Sequence, residues 1–213
     1  MQNILLTGAQ GGIGSAIEQI LQQGGDHVIG VDRAEADLSS YEDIQKLEKR
    51  VADEGKPLDW LIFAHGFIDT ETDLEKQRPE DIEATFRLNI LSIVYCAQLF
   101  LKHLRKGGGM VFLSSTAALS PNGRYAAYSA SKAAVNAFAQ ALARNRPEQV
   151  FYTVCPGPTN TPMREKIGDD ASRSQPPSAV ASVVADLISG KTDYKSGDII
   201  VVRDDKISKA GGL

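Results

Sequence analysis

The sequence predicts an α/β fold built on a parallel sheet, and two observations carry that prediction. Short apolar runs alternate with longer helical patterns along the 213 residues, which is typical of parallel strands joined by helices. The first apolar run also leads directly into a glycine-rich turn, Thr7 to Gly14, that opens a helical pattern. Together they predict a Rossmann-type doubly wound sheet in three α/β/α layers. With 42% hydrophobic residues, the chain has the size of a single domain.

Six strands are predicted because each is a short apolar run bounded by turn or polar residues. They are Asn3 to Thr7, His27 to Val31, Leu58 to Ala64, Met110 to Ser114, Val150 to Val154 and Asp198 to Val202. Five helices are predicted from helical periodicity that ends at Gly, Pro or a charged cluster. They are Ile13 to Gln23, Ser39 to Glu54, Asp81 to Arg105, Ala126 to Arg144 and Ser178 to Ser189.

Two connections depart from a regular alternation of strand and helix. Only four residues lie between Asp32 and Asp37, too few for a helical crossover, so one peripheral helix is predicted to be missing. The segment Thr159 to Pro177 is polar, contains several prolines and shows no periodicity. Because long irregular loops of compact domains often cover active sites, we expect a short substrate lid there.

Composition disfavours several classes of function. A net charge of −4, with basic residues scattered among acids, gives no field for nucleic acid or an anionic membrane. The two cysteines, Cys96 and Cys155, lie in apolar stretches and suit buried thiols better than disulfides or metal ligands, so we expect no metal and a reducing, cytoplasmic setting. Nothing at the N-terminus resembles a signal peptide, and no apolar run reaches membrane length.

The glycine turn predicts a dinucleotide site. A strand, a glycine turn and a helix in succession bring backbone N–H groups and a helix N-terminus against a pyrophosphate. The expected contacts are Thr7, Gly8, Gln10, Gly12, Ile13 and Gly14. A phosphate-cleaving enzyme is disfavoured because Ile13-Gly14-Ser15 follows Gly12, where a P-loop has Lys-Ser/Thr.

The end of the second strand bears on the choice of cofactor. Asp32 places a carboxylate where it accepts hydrogen bonds from the adenosine ribose and repels a 2′-phosphate, which favours NAD. Arg33 pairs with such a phosphate if it turns inward, so NADP stays open, and a solvated surface charge is an equal reading. Asp37 and Leu38 lie beside the adenine, or Asp37 serves the N-terminus of the next helix.

Three further residues predict proton chemistry. Tyr128 and Lys132 share one helix face, so the ammonium of Lys132 lies close to the phenol and favours its ionised form. Ser115 follows the fourth predicted strand and offers a hydroxyl to a carbonyl or alcohol oxygen. Each residue alone has a structural reading, as a strand cap, a core aromatic or a surface lysine. Their convergence beside a nucleotide site favours catalysis.

With these motifs, the chain resembles the short-chain dehydrogenase/reductase family from about Asn3 to Val202. Its motif Thr-Gly-x-x-x-Gly-x-Gly matches Thr7, Gly8, Gly12 and Gly14, and its catalytic tetrad matches Asn89, Ser115, Tyr128 and Lys132. The resemblance implies further cofactor contacts at Ala64, Gly66, Pro156, Gly157, Thr159 and Thr161, besides Tyr128 and Lys132. It also implies that Asn89 holds a water that links Lys132 to solvent.

The family resemblance implies an NAD(P)-dependent oxidoreductase that interconverts a small-molecule alcohol and carbonyl with Tyr128 as general acid and base. It also implies a homodimer or homotetramer through the two long helices. The alternative is a dinucleotide-binding regulator without turnover. One departure stands out: the family's Asn-Asn-Ala-Gly segment is here Phe63-Ala64-His65-Gly66, so the asparagine that ties the central sheet is absent. A lone histidine there is more often structural than a substrate or ribose contact.

Overall fold

The computed structural model describes residues 1–121, 123–170, 174–203 and 206–210, and these form one seven-stranded sheet. The strands are β1 (Asn3–Thr7), β2 (His27–Val31), β3 (Leu58–Phe63), β4 (Leu104–Leu113), β5 (Val150–Pro156), β6 (Ile199–Arg203) and β7 (Lys206–Lys209). Their spatial order is β2-β1-β3-β4-β5-β6-β7, and the paired strands are parallel up to β6, with β7 antiparallel to it. The predicted doubly wound parallel sheet is therefore confirmed.

Helices cover both faces of the sheet. They are α1 (Gly12–Gln23), α2 (Tyr41–Asp53), α3 (Pro79–Phe86), α4 (Ser92–Phe100), α5 (Ala126–Asn145), α6 (Pro162–Lys166) and α7 (Pro177–Ile188). A π-helical turn, Arg87–Leu91, joins α3 to α4. Side chains of α1 and α7 pack into one apolar layer, and those of α2, α4 and α5 pack into the other.

The strands are apolar throughout because both of their faces are buried. Leu5 packs into the layer under α2, α4 and α5, whereas its neighbours Ile4 and Leu6 pack into the layer under α1 and α7. Successive strand residues point to opposite faces, so a strand buried on both sides needs a continuous apolar run. This is why the strand runs were recognisable from the sequence.

The predicted helix from Asp81 to Arg105 is wrong at its end. The structure interrupts that run with the π-helical turn, and β4 begins at Leu104. Glycine hides this part of the strand from sequence patterns, since Gly107, Gly108 and Gly109 carry no apolar side chain. At Gly109 the close packing requires it, because a Cβ atom would lie 1.9 Å from the Val150 carbonyl oxygen.

The two edges of the sheet explain the remaining differences. No helix lies between Asp32 and Asp37, and α2 carries the chain directly from the edge strand β2 to β3, on the far side of β1. At the other edge β7 was not predicted, because it has four exposed residues and only one, Ile207, is apolar.

The prediction that no apolar run reaches membrane length is corrected for the described residues, because the helical run Pro79–His103 has the length and apolar composition of a membrane span. Its position in the fold accounts for that composition. Ile93, Cys96, Ala97 and Phe100 are fully buried against the sheet, in the layer shared with α2 and α5. One face of the run is therefore apolar because it packs on the sheet.

Candidate active site

The predicted site residues converge because parallel strands end at the same edge of the sheet. A groove of about 870 Å³ runs along the carboxyl ends of β1, β2, β3, β4 and β5. The predicted residues that line it are Gly8, Gln10, Gly12, Ile13, Asp32, Arg33, Asp37, Leu38, Ala64, Gly66, Tyr128, Lys132, Pro156 and Thr161. Residues far apart in the chain thus form one continuous surface.

The glycine turn is shaped for close approach of a ligand. Gly8 has φ of +74°, and a Cβ atom there would lie 2.6 Å from the backbone nitrogen of His65. At Gly14 a Cβ atom would lie 1.9 Å from the Gly8 carbonyl oxygen, so glycine lets α1 start against the turn. A Cβ atom at Gly12 would meet the Thr161 side chain at 2.7 Å. These residues fit a dinucleotide pyrophosphate at the start of α1.

A carboxylate is fixed at the end of β2. Asp32 Oδ2 accepts a hydrogen bond from the Gln10 amide at 3.0 Å, and Oδ1 accepts one from the Arg33 amide at 2.7 Å. Glu35 lies beside it and accepts a hydrogen bond from the Asp32 amide at 2.9 Å. The Arg33 residue is exposed. Two acidic side chains therefore stand where an adenosine ribose is expected.

Asp37 serves the start of the α2 segment while it also lines the groove. Its Oδ1 accepts hydrogen bonds from the Ser39 hydroxyl at 2.7 Å and the Ser39 amide at 2.9 Å. These bonds, the hydroxyl first, hold the pKa of the Asp37 carboxyl below its usual value. The next residue, Ser40, caps α2 by accepting from the Asp43 amide at 3.3 Å. The cap of α2 thus belongs to Ser40, while Asp37 orders the turn before the helix and lines the groove where the adenine is expected.

Tyr128 and Lys132 line the groove, and Ser115 lies beside them at the end of β4. Tyr128 and Lys132 project from the first turns of α5, and the Lys132 ammonium lies 5.9 Å from the Tyr128 ring centroid. Lys132 Nζ donates to the Leu113 carbonyl at 2.9 Å, at the end of β4. The Ser115 hydroxyl hydrogen-bonds the Tyr128 phenol and also accepts from the Ala117 amide at 3.1 Å. A proton donor and a hydroxyl therefore face the same point.

Burial dominates the electrostatics of this group. Desolvation raises the pKa of Tyr128 to about 12, and the hydrogen bond from Ser115 offsets only part of that rise. Desolvation also lowers the pKa of Lys132 to about 8. The expectation that Lys132 makes the phenol ionise easily does not hold for the protein without cofactor, because burial penalises both charged forms.

Asn89 is fully buried in the π-helical turn, and both polar atoms of its side chain are hydrogen-bonded. Oδ1 accepts from the Phe67 amide at 2.7 Å, while Nδ2 donates to the Phe67 carbonyl at 2.8 Å and to the Ser131 hydroxyl at 2.9 Å. A Cβ atom at Gly66 would lie 3.2 Å from Asn89 Oδ1 and 3.3 Å from Lys132 Nζ. Asn89 therefore fixes the loop after β3 against the start of α5, beside Lys132.

Some predicted contacts lie behind the groove surface. Thr7, Gly14, Gly157 and Thr159 are not among the residues that line it. Thr159 is buried: its hydroxyl donates to the Gly157 carbonyl at 2.9 Å and accepts from Gln175 Nε2 at 3.2 Å. The Thr159 hydroxyl is therefore engaged within the segment 157–175, and the predicted contact of Thr159 with the cofactor stays a prediction.

Other groove residues were not predicted as cofactor contacts, chiefly Gly11, Ala36, His65, Phe67, Ser114 and Met163. A second cavity of about 680 Å³ adjoins the groove and shares Gly66, Phe67, Asp81, Met163 and Lys166 with it. Apart from the unusual His65, no sequence signal marked these unpredicted groove residues, since their positions depend on how loops fold over the sheet edge. The described residues contain no cluster of three or more His, Cys, Asp or Glu suited to a metal, and Cys96 and Cys155 are buried free thiols.

This fold and site define a nicotinamide-dependent oxidoreductase of the Rossmann type, and comparison with known proteins agrees. The profile of the short chain dehydrogenase family matches residues 33–172. The chain belongs to the short-chain dehydrogenase/reductase family, whose members bind NAD or NADP.

Relatives align along nearly the whole chain. The chain is 28% identical to a benzil reductase of Saccharomyces cerevisiae, with 98% of each chain covered. It is also 28% identical to a 3-oxoacyl-[acyl-carrier-protein] reductase of Vibrio cholerae, with 93% of this chain and 94% of the relative covered. The crystal structure of a Brucella melitensis protein named for glucose/ribitol dehydrogenase superposes with a TM-score of 0.86 at 25% identity, with 95% of each chain covered.

Proposed function

We propose that this protein interconverts a small-molecule carbonyl and alcohol, with Tyr128 as the general acid and base and NAD as the preferred cofactor. The observation that carries the proposal is that Tyr128 and Lys132 line the groove side by side, with the Ser115 hydroxyl against the Tyr128 phenol. A bound nicotinamide supplies or accepts the hydride. The protein supplies the proton, the hydrogen bonds and the orientation.

The proposal gives each side chain a role. In reduction, Tyr128 donates its proton to the carbonyl oxygen, and Ser115 steadies that oxygen with its hydroxyl. In oxidation, the Tyr128 phenolate removes the alcohol proton. Lys132, buried beside the ring, holds the ribose hydroxyls near the nicotinamide and stabilises the phenolate once it forms.

Electrostatics supports reduction as the easier direction. With the pKa of Tyr128 raised to about 12, the phenol is neutral at physiological pH and is ready to donate a proton. Oxidation needs the phenolate, which requires a further positive charge in the groove. The names of the yeast and Vibrio relatives, both reductases, agree with this direction.

The preference for NAD rests on the end of β2. Asp32 is held by two backbone amides, and Glu35 adds a second carboxylate. A 2′-phosphate would bring about two negative charges against these acids, whereas ribose hydroxyls would donate to them. NADP binding would need the exposed Arg33 side chain to turn towards the groove.

The remaining parts of the proposal rest on the sequence pattern and on resemblance to the family. We propose one domain, residues 1–213, with a lid near residues 159–177, and assembly into a homodimer or homotetramer through α4 and α5. Exposed Leu91 precedes α4 and is available for such packing. The reducing, cytoplasmic setting and the absence of nucleic-acid and membrane partners stay predictions.

The test is Tyr128→Phe, followed at the nicotinamide absorbance with NADH, NADPH and a panel of ketones, diketones and 3-oxoacyl thioesters. We expect unchanged cofactor affinity and turnover lowered by ~10²-fold or more, since only the transferable proton is lost. Tyr152→Phe is the matched control, because that hydroxyl bonds the Tyr194 carbonyl away from the groove. Turnover of Tyr128→Phe within tenfold of the wild type would contradict the assignment. Cofactor binding without any turnover by the wild type would favour the regulator.

A further inference from the structure

His65 joins three parts of the site through its two ring nitrogens. Nδ1 lies 2.7 Å from the Thr7 hydroxyl at the end of β1, and Nε2 lies 2.7 Å from the Ser92 hydroxyl at the start of α4. Thr7 and Ser92 are both almost fully buried. Short hydrogen bonds between buried groups leave little freedom for the ring.

The supply of protons fixes the direction of this chain of hydrogen bonds. The Ser92 hydroxyl donates its single proton to the Leu88 carbonyl at 2.8 Å, so its oxygen must accept from His65. Nε2 of His65 therefore carries the proton and Nδ1 is the acceptor. Thr7 then donates to Nδ1 at 2.7 Å, in preference to the Ile62 carbonyl at 3.3 Å.

The two ends of the chain are functionally placed. At one end, Thr7 precedes Gly8, whose backbone packs directly on the His65 backbone. At the other end, Leu88 precedes Asn89 in the π-helical turn. Since Asn89 grips the backbone of Phe67, the loop after β3 is held on one side by His65 and on the other by Asn89.

We propose that His65 is a positioning residue whose neutral Nε2–H imidazole locks the cofactor-binding turn to the helical turn that carries Asn89. Through Asn89, this lock sets the loop after β3 and the start of α5 at Lys132. The inference rests on the proposed function for its catalytic consequence only. It explains how this chain, which has Phe63-Ala64-His65-Gly66 in place of the family's asparagine-containing segment, ties its sheet edge together.

The environment keeps the imidazole neutral. Burial lowers the pKa of His65 from 6.5 to about 3, and the positive charge of Lys132 lowers it further than Asp32 raises it. A protonated ring would carry N–H on both nitrogens and lose the acceptor that Thr7 needs. The ring is therefore expected to stay neutral, and the lock to stay intact, from neutral pH down to about pH 5.

The first measurement does not depend on activity. Long-range ¹H–¹⁵N NMR of the ¹⁵N-labelled protein reports the tautomer and titration of each of the three histidines. The His65 signals are assigned by their loss in His65→Gln. We expect the neutral Nε2–H form from pH 5 to pH 8. The Nδ1–H tautomer, or titration between pH 6 and 7, would overturn the proposal.

The second measurement is a double-mutant cycle on the full-length protein with His65→Leu, Ser92→Ala and the pair, read out as NADH affinity by calorimetry and as kcat. We expect His65→Leu to weaken NADH binding about tenfold and to lower kcat about tenfold or more, because small misplacements in an active site are costly. His65→Gln, which keeps a donor towards Ser92, should recover part of both losses. In the His65→Leu background, Ser92→Ala should add less than twofold, since the bond it removes is already broken.

If the fold losses of His65→Leu and Ser92→Ala in NADH affinity and kcat multiply in the double mutant, the two residues act independently and the lock is refuted. If the wild type shows the expected tautomer and the expected coupling in NADH affinity but no turnover with any carbonyl, the lock stands and the proposed function fails. If turnover is normal and His65→Leu changes neither NADH affinity nor kcat, the proposed function stands and the lock fails. Should His65→Leu not fold, the tautomer, Ser92→Ala and His65→Gln still decide the question.

Discussion

Acid should destabilise this protein more strongly than a variant that lacks His65. In the folded protein the pKa of His65 is about 3, whereas an exposed histidine in the unfolded chain titrates near the ordinary value of 6.5. Between these values the unfolded chain binds the extra proton. The stabilisation from the neutral ring is therefore complete above pH 6.5 and is lost as the pH falls towards 3.

The size of the effect follows from the two pKa values. Lowering the pH from 7 to 5 should cost the wild type roughly 2 kcal/mol more than His65→Gln, whose amide does not titrate. For a chain of this size, that corresponds to roughly 4–8 °C in Tm. Urea unfolding of cofactor-free protein at pH 7 and pH 5, at one protein concentration, measures the difference directly.

The comparison isolates one group because every other titrating residue is shared by the two proteins. His27→Gln is the matched control: it removes an exposed histidine at the start of β2, and it should keep the acid sensitivity of the wild type. If wild type and His65→Gln lose the same free energy of unfolding between pH 7 and pH 5, within ~0.5 kcal/mol, the buried neutral histidine is refuted.

Three further predictions concern the groove and its lid. Lys132→Met should weaken NADH binding and lower turnover together, each by roughly tenfold or more, since one ammonium serves both the ribose and the phenol; unchanged affinity in calorimetry would contradict the dual role. Asp32→Ala should raise the kcat/KM ratio of NADPH to NADH by roughly tenfold, because a 2′-phosphate no longer meets that carboxylate; an unchanged ratio would place the selectivity elsewhere. Hydrogen exchange should show residues 162–169 gaining protection when cofactor and substrate bind; protection of that segment at the level of the central strands in both states would mean a rigid loop.

The sequence predicted most of the sheet because its strands are buried on both faces. The bounds of β1 and β2 match the prediction residue for residue. What could not be predicted depends on contacts between distant segments. Gly107, Gly108 and Gly109 in the first part of β4 carry no apolar signal, and Gly109 is held in the strand by pairing with Trp60 of β3 and Val150 of β5. The π-helical turn at Asn89 is likewise invisible to helical periodicity.

The candidate site was predictable where reactive residues are close in the chain or directly follow a strand. Tyr128 and Lys132 are four residues apart on one helix, and Ser115 follows a strand that ends at the same sheet edge. The electrostatics was not predictable, because the sequence does not report how deeply Tyr128 is buried. The role of His65 was also out of reach, since it requires Thr7 and Ser92 on two other elements.

The lid shows how tertiary contacts refine a sequence prediction. Thr159 to Pro177 was predicted to form a substrate lid, and the two ends of that segment are joined by two backbone hydrogen bonds, which form a neck. They run from the Asn160 amide to the Gln175 carbonyl and from the Gln175 amide to the Pro158 carbonyl, each at 2.9 Å.

Gln175 also closes the neck with its side chain, which donates to the Val202 carbonyl at 2.9 Å and so ties the neck to β6. Beyond the neck, Asp169 accepts from the Tyr125 hydroxyl at 3.1 Å and pairs with Arg164 at 3.2 Å. Tyr125 stands three residues before Tyr128. Because Tyr125 lies outside the segment, its bond to Asp169 is one that a lid movement of residues 162–169 would have to break, whereas the hydrogen bonds of the neck would stay in place.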